Sequence, residues 1–145
     1  MKNIRLSKST IGDEEKQAVM SVLDKEFLGM GEEVRQFEAE LTGFFGRETT
    51  CVSTGTAALQ LAIECAGIGA GDEVLVPSLT YVASFQAISA TGATPVACDI
   101  EEFNLSVSRK DAELRLTPNT KAIMLLHYSG AVGDFDAVLE FAKKN

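Results

Sequence analysis

The chain has 145 residues, of which 46% are hydrophobic, and a formal net charge of −8. This length and composition predict one compact domain with an apolar core and argue against disorder. Acidic and basic residues are interspersed, whereas a protein that binds the phosphate backbone of a nucleic acid needs a clustered basic face. We therefore exclude nucleic acid as a partner.

The cysteine pattern and the hydropathy restrict the cellular context. Cys51, Cys65 and Cys98 have neither the even count of a disulfide framework nor the close spacing of a zinc site, and they are typical of buried residues in a reducing cytoplasm. The first residues are not followed by the apolar core of a secretory signal. The uncharged stretch at 74–98 is too polar for a bilayer. We expect a cytoplasmic protein without a metal site or a membrane span.

The first 45 residues predict a helical lead-in. Thr10 and Asp13 have the spacing of a capping box at the start of a helix, and apolar residues then recur on one helical face as far as Phe27. The segment Gly29-Met30-Gly31 interrupts this pattern before a second apolar face begins. Met1–Phe45 is therefore predicted to form two amphipathic helices joined by a glycine hinge.

From Thr50 to Asn145, short apolar or β-branched runs alternate with longer helical patterns, which predicts an α/β fold with no internal domain boundary. The predicted strands are 50–53, 73–76, 95–99 and 121–126. The predicted helices are 55–66, 82–90, 108–116 and 134–144, and Ser108 with Asp111 repeats the capping-box spacing. Because the helix at 57–66 is apolar on almost every side, we expect it to be buried in a three-layer sandwich.

Hydroxyl side chains and a glycine lie where the first predicted strand leads into a helix, in Ser53-Thr54-Gly55-Thr56-Ala57. Free backbone N–H groups and the positive end of the helix dipole attract phosphate at such a place. An ordinary helix cap made of Ser and Thr is the alternative. The glycines at 67–72 resemble a dinucleotide loop only superficially, because they follow a helix and precede a strand. They predict a helix end and a turn.

Two further polar side chains follow predicted strands. Tyr81 leaves the second strand at its carboxyl end, where ligands collect in open α/β sheets, and it either stacks on an aromatic ligand or packs onto the sheet. His127 is the only histidine and follows the fourth strand. Without a second histidine or a cysteine pair nearby, it does not predict a metal site. It is either a polar residue at the ligand edge or a structural one.

A series of short motifs occurs in a fixed order along the whole chain. The motifs are Gly29-Met30-Gly31-Glu32-Glu33-Val34 with Phe37-Glu38, Ser53-Thr54-Gly55-Thr56-Ala57-Ala58-Leu59, Gly71-Asp72-Glu73-Val74, Pro77-Ser78-Leu79-Thr80-Tyr81-Val82-Ala83, Gly92-Ala93-Thr94-Pro95-Val96 with Asp99, Lys121-Ala122-Ile123, His127 with Gly130, and Asp134-Phe135-Asp136. In this order they resemble the DegT/DnrJ/StrS sugar aminotransferases, which use pyridoxal phosphate. The resemblance implies the aspartate aminotransferase fold type I, and the chain would be the N-terminal portion of its large domain.

The resemblance also implies an activity and a set of site residues. Gly55 and Thr56 would hold the cofactor phosphate, and Tyr81 would stack on its pyridine ring. Family members transfer an amino group, commonly from glutamate, to a keto group of a nucleotide-linked sugar, and two subunits share each active site. The Schiff-base lysine and the acidic partner of the pyridine nitrogen belong to family segments beyond Asn145. We therefore expect no catalytic residue in this chain and no transamination by it alone.

Alternative functions remain open from the sequence. Some relatives carry a histidine in place of the lysine and act as sugar dehydratases. Another fold-type I activity, such as that of a desulfurase or an aldolase, is disfavoured by the Pro-x-x-Thr-aromatic segment at 77–81. A non-catalytic binding or assembly module is the third alternative. In the family fold the first strand lies across the sheet from the second and third, so we expect 50–53 to stay unpaired, to pair elsewhere or to be completed by another chain.

Overall fold

The computed structural model describes residues 7–145. The described residues divide into two compact units, of which the first ends at Cys51 and the second runs from Val52 to Asn145. The helices are α1 (Asp13–Asp24), α2 (Glu32–Phe45), α3 (Gly55–Cys65), α4 (Ala83–Ala90), α5 (Arg109–Leu114) and α6 (Phe135–Lys144). The strands are β1 (Glu73–Pro77), β2 (Thr94–Cys98) and β3 (Thr120–Ile123), and a short 3₁₀ turn covers Tyr128–Gly130. The boundary between the units lies close to the predicted end of the helical lead-in. That both units belong to one large domain stays a prediction.

The first unit contains α1 and α2, as the apolar periodicity predicted. The predicted capping box of Thr10 and Asp13 is wrong, because Gly12 is the cap residue and its N–H donates to the Glu15 carboxylate at 2.6 Å. A helix that begins at Asp13 puts Glu15 at the third position, from which a glutamate reaches back to the cap. After α2, the Cys51 N–H donates to the Glu38 carboxylate at 2.7 Å and so fixes the returning segment.

The predicted strand at 50–53 is wrong. No strand forms there, although three of the four predicted strands are present within a few residues of their expected bounds. The β-branched side chains of Thr50 and Val52 produced the prediction, but an isolated extended segment cannot form a strand without a neighbour to share its backbone hydrogen bonds. Of the three expected outcomes for this segment, the structure shows the unpaired one.

The second unit is built on a parallel sheet in the order β2-β1-β3. Leu75 in the central strand pairs with Val96 on one side and with Ile123 on the other. Four of the five residues of β1 are buried, and the fifth, Glu73, is partly exposed. This matches a parallel sheet that is covered on both faces.

Helices cover both faces of this sheet, so the predicted three-layer α/β/α arrangement is confirmed. Two buried clusters lie on opposite faces of the sheet, because alternate side chains of β1 point to opposite faces. One cluster comprises Val74 and Val76 with Ile63 of α3 and with Ala87, Ile88 and Ala93 in and after α4. The other comprises Leu75 and Cys98 with Val107, with Ala112 of α5 and with Val138 and Phe141 of α6.

The expectation that α3 is buried on almost every side is wrong. Only Ile63 is buried in this helix, and the Leu61 side chain is 44% exposed. Within the second unit, the helix packs on the sheet through one flank and beside α4 through another. The apolar composition of α3 was read correctly, but composition does not specify which flanks receive a neighbour.

The turn from α3 into β1 has the predicted form of a helix end. Gly67 and Gly71 have φ values of 74° and 92°, in the left-handed region that favours glycine. Gly69 lies against the carbonyl of Thr91, so the C-terminal turns of α3 and α4 meet beside the start of β1. Both helices therefore run antiparallel to β1, and both begin at the carboxyl edge of the sheet.

Candidate functional site

The connections of the sheet define where a ligand can enter. The chain leaves β1 towards α4 on one face, whereas it leaves β2 and β3 towards α5 and α6 on the other face. Neighbouring strands whose connections diverge in this way open a crevice outside their carboxyl ends, which is the usual ligand site in open α/β sheets. The segments 53–57 and 77–82 reach this edge.

The tip of α3 is capped on one side and left open on the other. Thr54 is the cap residue, and its Oγ1 accepts a hydrogen bond from the Ala57 N–H at 3.1 Å. Its carbonyl accepts from the Ala58 N–H at 3.1 Å. Among the residues that the structure describes, the N–H groups of Gly55 and Thr56 have no acceptor. Two backbone donors at the positive end of the helix dipole are thus available to an anion.

Gly55 itself marks an open surface. Its φ is not in the left-handed region, and a Cβ placed on it would meet nothing within 4 Å. Neither the backbone conformation nor packing against described residues therefore requires a glycine here. The missing side chain leaves room for a group to approach the helix tip closely, as glycines do where backbone meets a ligand. Open space beside free backbone donors is suited to a phosphate group.

The charges of the helix N-termini support this interpretation. The first turns of α1, α2, α5 and α6 carry acidic residues, as expected in a chain with a net charge of −8, whereas the first turns of α3 and α4, the two helices that cover the same face of the sheet, carry none. Carboxylates in a first turn neutralise the positive end of the dipole. At α3 that positive end remains uncompensated.

Tyr81 lies at the start of α4 with its side chain 77% exposed. The ring is therefore not buried against the described part of the sheet, and the stacking role of Tyr81 stays a prediction. The backbone around it is fixed, however, because the Ser84 N–H donates to the Tyr81 carbonyl at 3.0 Å and the Ser78 N–H donates to the Cys98 carbonyl at 2.8 Å. An exposed aromatic face on an anchored backbone is suited to stacking.

The structure brings the α3 tip and Tyr81 to the same edge and the same face of the sheet. Both α3 and α4 cover the face of Val74 and Val76, and both begin at the carboxyl edge. The helix tip can hold an anionic group and the tyrosine can cover a planar ring. A molecule that carries a phosphate and an aromatic ring matches this pair.

His127 lies elsewhere on the carboxyl edge. It follows β3 after an extended segment, because the strand ends at Ile123 and not at the predicted residue 126. The residue is exposed and lines a narrow cleft with Ser106, Gly133 and Asp134, on the face covered by α6. The structure therefore supports the interpretation of His127 as a polar edge residue, away from the α3 tip.

Sequence reasoning missed an ion pair at the end of β2. The predicted capping box of Ser108 and Asp111 is wrong, because the Asp111 carboxylate accepts the Asp99 N–H at 2.7 Å and binds Arg115 instead. The Arg115 guanidinium and the Asp99 N–H hold the pKa of Asp111 below its ordinary value. The i,i+4 spacing of Asp111 and Arg115 was the available signal. Burial raises the pKa of the neighbouring Cys98 thiol.

Residues 7–145 contain neither a metal-binding cluster nor a membrane-spanning helix. No group of three or more His, Cys, Asp or Glu side chains there is arranged to hold a metal ion. None of the described helices combines the length and the apolar character needed to cross a bilayer.

Comparison with known proteins decides the family. The profile of the DegT/DnrJ/EryC1/StrS aminotransferase family matches residues 9–145. The chain belongs to this family. This match confirms, over residues 9–145, the resemblance noted in the sequence.

Individual relatives agree with this assignment. The chain is 36% identical to dTDP-4-dehydro-2,3,6-trideoxy-D-glucose 4-aminotransferase of Saccharopolyspora spinosa, over 97% of this chain and 37% of the relative. It is 41% identical to the spore coat polysaccharide biosynthesis protein SpsC of Bacillus subtilis (strain 168), over 93% of this chain and 35% of that protein. The chain thus spans little more than a third of the length of these relatives.

Solved structures confirm the fold. Spr1654 of Streptococcus pneumoniae in its PLP form superposes with a TM-score of 0.90 at 32% identity, over 99% of this chain and 37% of that chain. The fold is therefore that of a partial α/β domain of fold type I with a parallel sheet.

Proposed function

We propose that these residues form the N-terminal portion of a pyridoxal-phosphate-dependent sugar aminotransferase. The parent enzyme would transfer an amino group, from glutamate, to a keto group of a nucleotide-linked sugar used for a polysaccharide, glycan or antibiotic. The observation that carries the proposal is the open tip of α3 beside the exposed Tyr81, on one edge and one face of the sheet. The names of the two sequence relatives support the substrate class.

Gly55 and Thr56 are the proposed phosphate-binding residues. Their backbone N–H groups have no acceptor among residues 7–145, and the Thr56 hydroxyl lies in the same helical turn. A hydrogen bond from a backbone N–H to a charged oxygen contributes about 1.5–3 kcal/mol. Two such bonds at the positive end of the helix dipole would hold a phosphate group at this place.

Tyr81 is the proposed stacking residue. Its ring is exposed at the start of α4, so its face is available to the pyridine ring of the cofactor. Such stacking contributes about 0.5–1.5 kcal/mol beyond burial of the surface. The bound ring would supply an electron sink for the bond changes at the amino carbon. Gly55, Thr56 and Tyr81 hold and orient that ring but move no proton.

The chemistry also needs a lysine, and we propose that this chain does not supply it. Lys121 starts β3 and Lys143 and Lys144 end α6, which places all three at the amino edge of the sheet. Lys110 belongs to α5, on the face opposite to α3. None of these four lysines of the second unit lies on the edge and face that carry the α3 tip and Tyr81, so we expect the 145 residues alone to be inactive. We further propose that the parent enzyme is a cytoplasmic homodimer, as the family resemblance and the three unpaired cysteines led us to expect.

The test is to add pyridoxal phosphate to the 145-residue chain and, separately, to a chain extended along its reading frame past Asn145, and then to reduce both with borohydride. We expect a stoichiometric adduct at one lysine of the extended chain and none at a single lysine of the shorter chain. Mass spectrometry of the digested protein identifies the modified lysine. An adduct of this kind on the shorter chain would contradict the proposal.

Sequencing the reading frame past Asn145, which the extended chain requires, separates the alternatives. A reading frame that continues into a segment with histidine in place of the lysine would indicate a sugar dehydratase. A natural stop codon after Asn145 would indicate a binding or assembly module.

A further inference from the structure

A buried hydroxyl lies directly beneath the segment that carries Tyr81. Ser84 is only 7% exposed and is the one polar residue of the described chain that counts as buried. Its Oγ lies 2.8 Å from the Oγ1 of Thr80, and its N–H donates to the Tyr81 carbonyl at 3.0 Å. Ser84 therefore contacts both of the residues at the point where the chain turns into α4.

The Thr80–Ser84 hydrogen bond has no substitute in this part of the chain. The cap residue Val82 provides no side-chain hydrogen bond at the start of α4. Without the Thr80 hydroxyl, the Ser84 hydroxyl would be buried with no partner in the described structure. A buried hydroxyl in that state costs about 1–3 kcal/mol, so the segment is held against Ser84.

The exposed Tyr81 ring depends on its backbone for orientation. A side chain that is 77% exposed has few contacts to select one rotamer or to hold its Cα in place. The bond between Thr80 and Ser84 and the bond from Ser84 to the Tyr81 carbonyl fix the backbone on both sides of the Tyr81 Cα. Fixing a binding group in advance increases affinity because less freedom is lost on binding.

We propose that Thr80 and Ser84 are positioning residues that hold Tyr81 so that its ring covers the cofactor ring. The inference rests on the proposed function, because it needs a planar ligand above the α3 tip. It assigns to the pair a role in binding that is separate from the capping of α4.

The test measures pyridoxal phosphate binding by the extended parent chain, from the dissociation constant and from the visible circular dichroism of the bound cofactor. Thr80→Val keeps the shape of the side chain but removes the hydroxyl, and Ser84→Ala removes the partner. Each change is expected to weaken binding about fivefold to tenfold, as for the loss of about one hydrogen bond, and to reduce the dichroic band. Thr80→Ser, which keeps the hydroxyl, should restore the affinity that the valine variant loses.

A matched control lies at the other end of the same helix. The Thr91 hydroxyl donates to the Ile88 carbonyl at 2.8 Å, so Thr91→Val removes a comparable hydrogen bond far from Tyr81. This variant is expected to lower the melting temperature of the apoprotein and to leave the dissociation constant unchanged. If Thr91→Val weakens binding as much as Thr80→Val, the effect is one of helix stability and the inference is wrong.

The decisive comparison uses the Tyr81→Ala background. If Thr80 acts through the tyrosine ring, Thr80→Val should cause no further loss of affinity there. An equal loss in both backgrounds would overturn the inference and leave only a structural role. Because Thr80→Val is nearly isosteric, it keeps the test usable where Ser84→Ala fails to fold.

Failure of the inference differs from failure of the proposed function. If Tyr81→Ala weakens binding but Thr80→Val and Ser84→Ala do not, the positioning role alone is wrong. If the unsubstituted parent chain shows no saturable binding of pyridoxal phosphate, the proposed function is wrong and the positioning role is wrong with it.

Discussion

The two edges of the parallel sheet differ in how far their polar groups are hydrogen-bonded. At the amino edge, the Glu73 carboxylate accepts the hydroxyl of Thr117 at 2.5 Å and that of Thr120 at 3.4 Å. The Asp72 carboxylate accepts the Gly69 N–H at 3.0 Å, and the Asp72 carbonyl accepts the Thr94 N–H at 2.8 Å. At this edge, the polar groups of the loops and of the strand starts are thus hydrogen-bonded to one another.

At the carboxyl edge, the part next to α3 and α4 is left open. The N–H groups of Gly55 and Thr56 have no acceptor in the described structure, and the Tyr81 ring is mostly exposed. The edge is closed again further along, where Asp111 binds the end of β2. The carboxyl edge is therefore open only beside α3 and α4, as expected where a rigid scaffold presents loops to a ligand.

The strongest test of this comparison is Gly55→Val, which fills the open space above the α3 tip. In the extended parent chain we expect pyridoxal phosphate to bind about tenfold to a hundredfold more weakly, because the phosphate loses one or both charge-assisted N–H contacts. Titration followed by cofactor absorbance measures the change. The apoprotein should melt at the same temperature or slightly higher, since valine favours a helix more than glycine does.

Gly43→Val is the matched control for Gly55→Val. Gly43 lies in α2, and a Cβ on it also meets nothing within 4 Å. It should leave cofactor binding unchanged. An equal loss of affinity in both variants would show that the space above Gly55 is not a phosphate site.

The opposite pattern is expected at the amino edge. Glu73→Gln weakens the hydrogen bonds to Thr117 and Thr120 and should lower the free energy of unfolding by about 1 kcal/mol, with no change in cofactor affinity. Urea unfolding and cofactor titration of the same preparation measure both quantities. Thr117→Val, which removes one partner, should reproduce most of this effect. If Glu73→Gln lowered the cofactor affinity but not the free energy of unfolding, the amino edge would have a role in binding, contrary to this prediction.

The sequence was sufficient for those parts of the fold that local pattern controls. Apolar runs predicted β1, β2 and β3, and the order of a helix, glycines and a strand predicted the turn at 67–72. The α3 tip was also predictable, because a hydroxyl cap beside a glycine is a local feature.

The predictions that were wrong concern features that depend on which partner a side chain or a backbone segment meets in the folded chain. Asp111 has the spacing of a capping residue. In the folded chain, however, its carboxylate accepts hydrogen bonds from the Asp99 N–H, just after β2, and from Arg115. Glu15 replaces Asp13 because the helix begins one residue after Gly12. The segment 50–53 has strand composition but no neighbouring strand. The Thr80–Ser84 bond was missed because neither residue signals by itself that its hydroxyl is buried.

The smallest expected effect concerns Asp111, which closes the far part of the carboxyl edge. Its pKa is lowered from 3.8 in the folded chain by Arg115 and by the Asp99 N–H. A depressed carboxyl pKa contributes stability that is fully present above the unfolded value and is lost as the pH falls through the folded value. Asp111→Asn should therefore lower the melting temperature at pH 6 in this chain, and the difference from the unsubstituted chain should shrink as the pH falls below 3.8.

Glu113→Gln is the control for this pH dependence. Glu113 pairs with Arg109 at 3.4 Å with the same i,i+4 spacing on α5, but neither residue binds the end of a strand. Exposed pairs of this kind contribute little to stability, so the control should lower the melting temperature at pH 6 less than Asp111→Asn does. Equal losses from the two variants would mean that the Asp99 N–H adds nothing to the ion pair. The hydrogen bond between Asp111 and the Asp99 N–H would then not stabilise this part of the carboxyl edge.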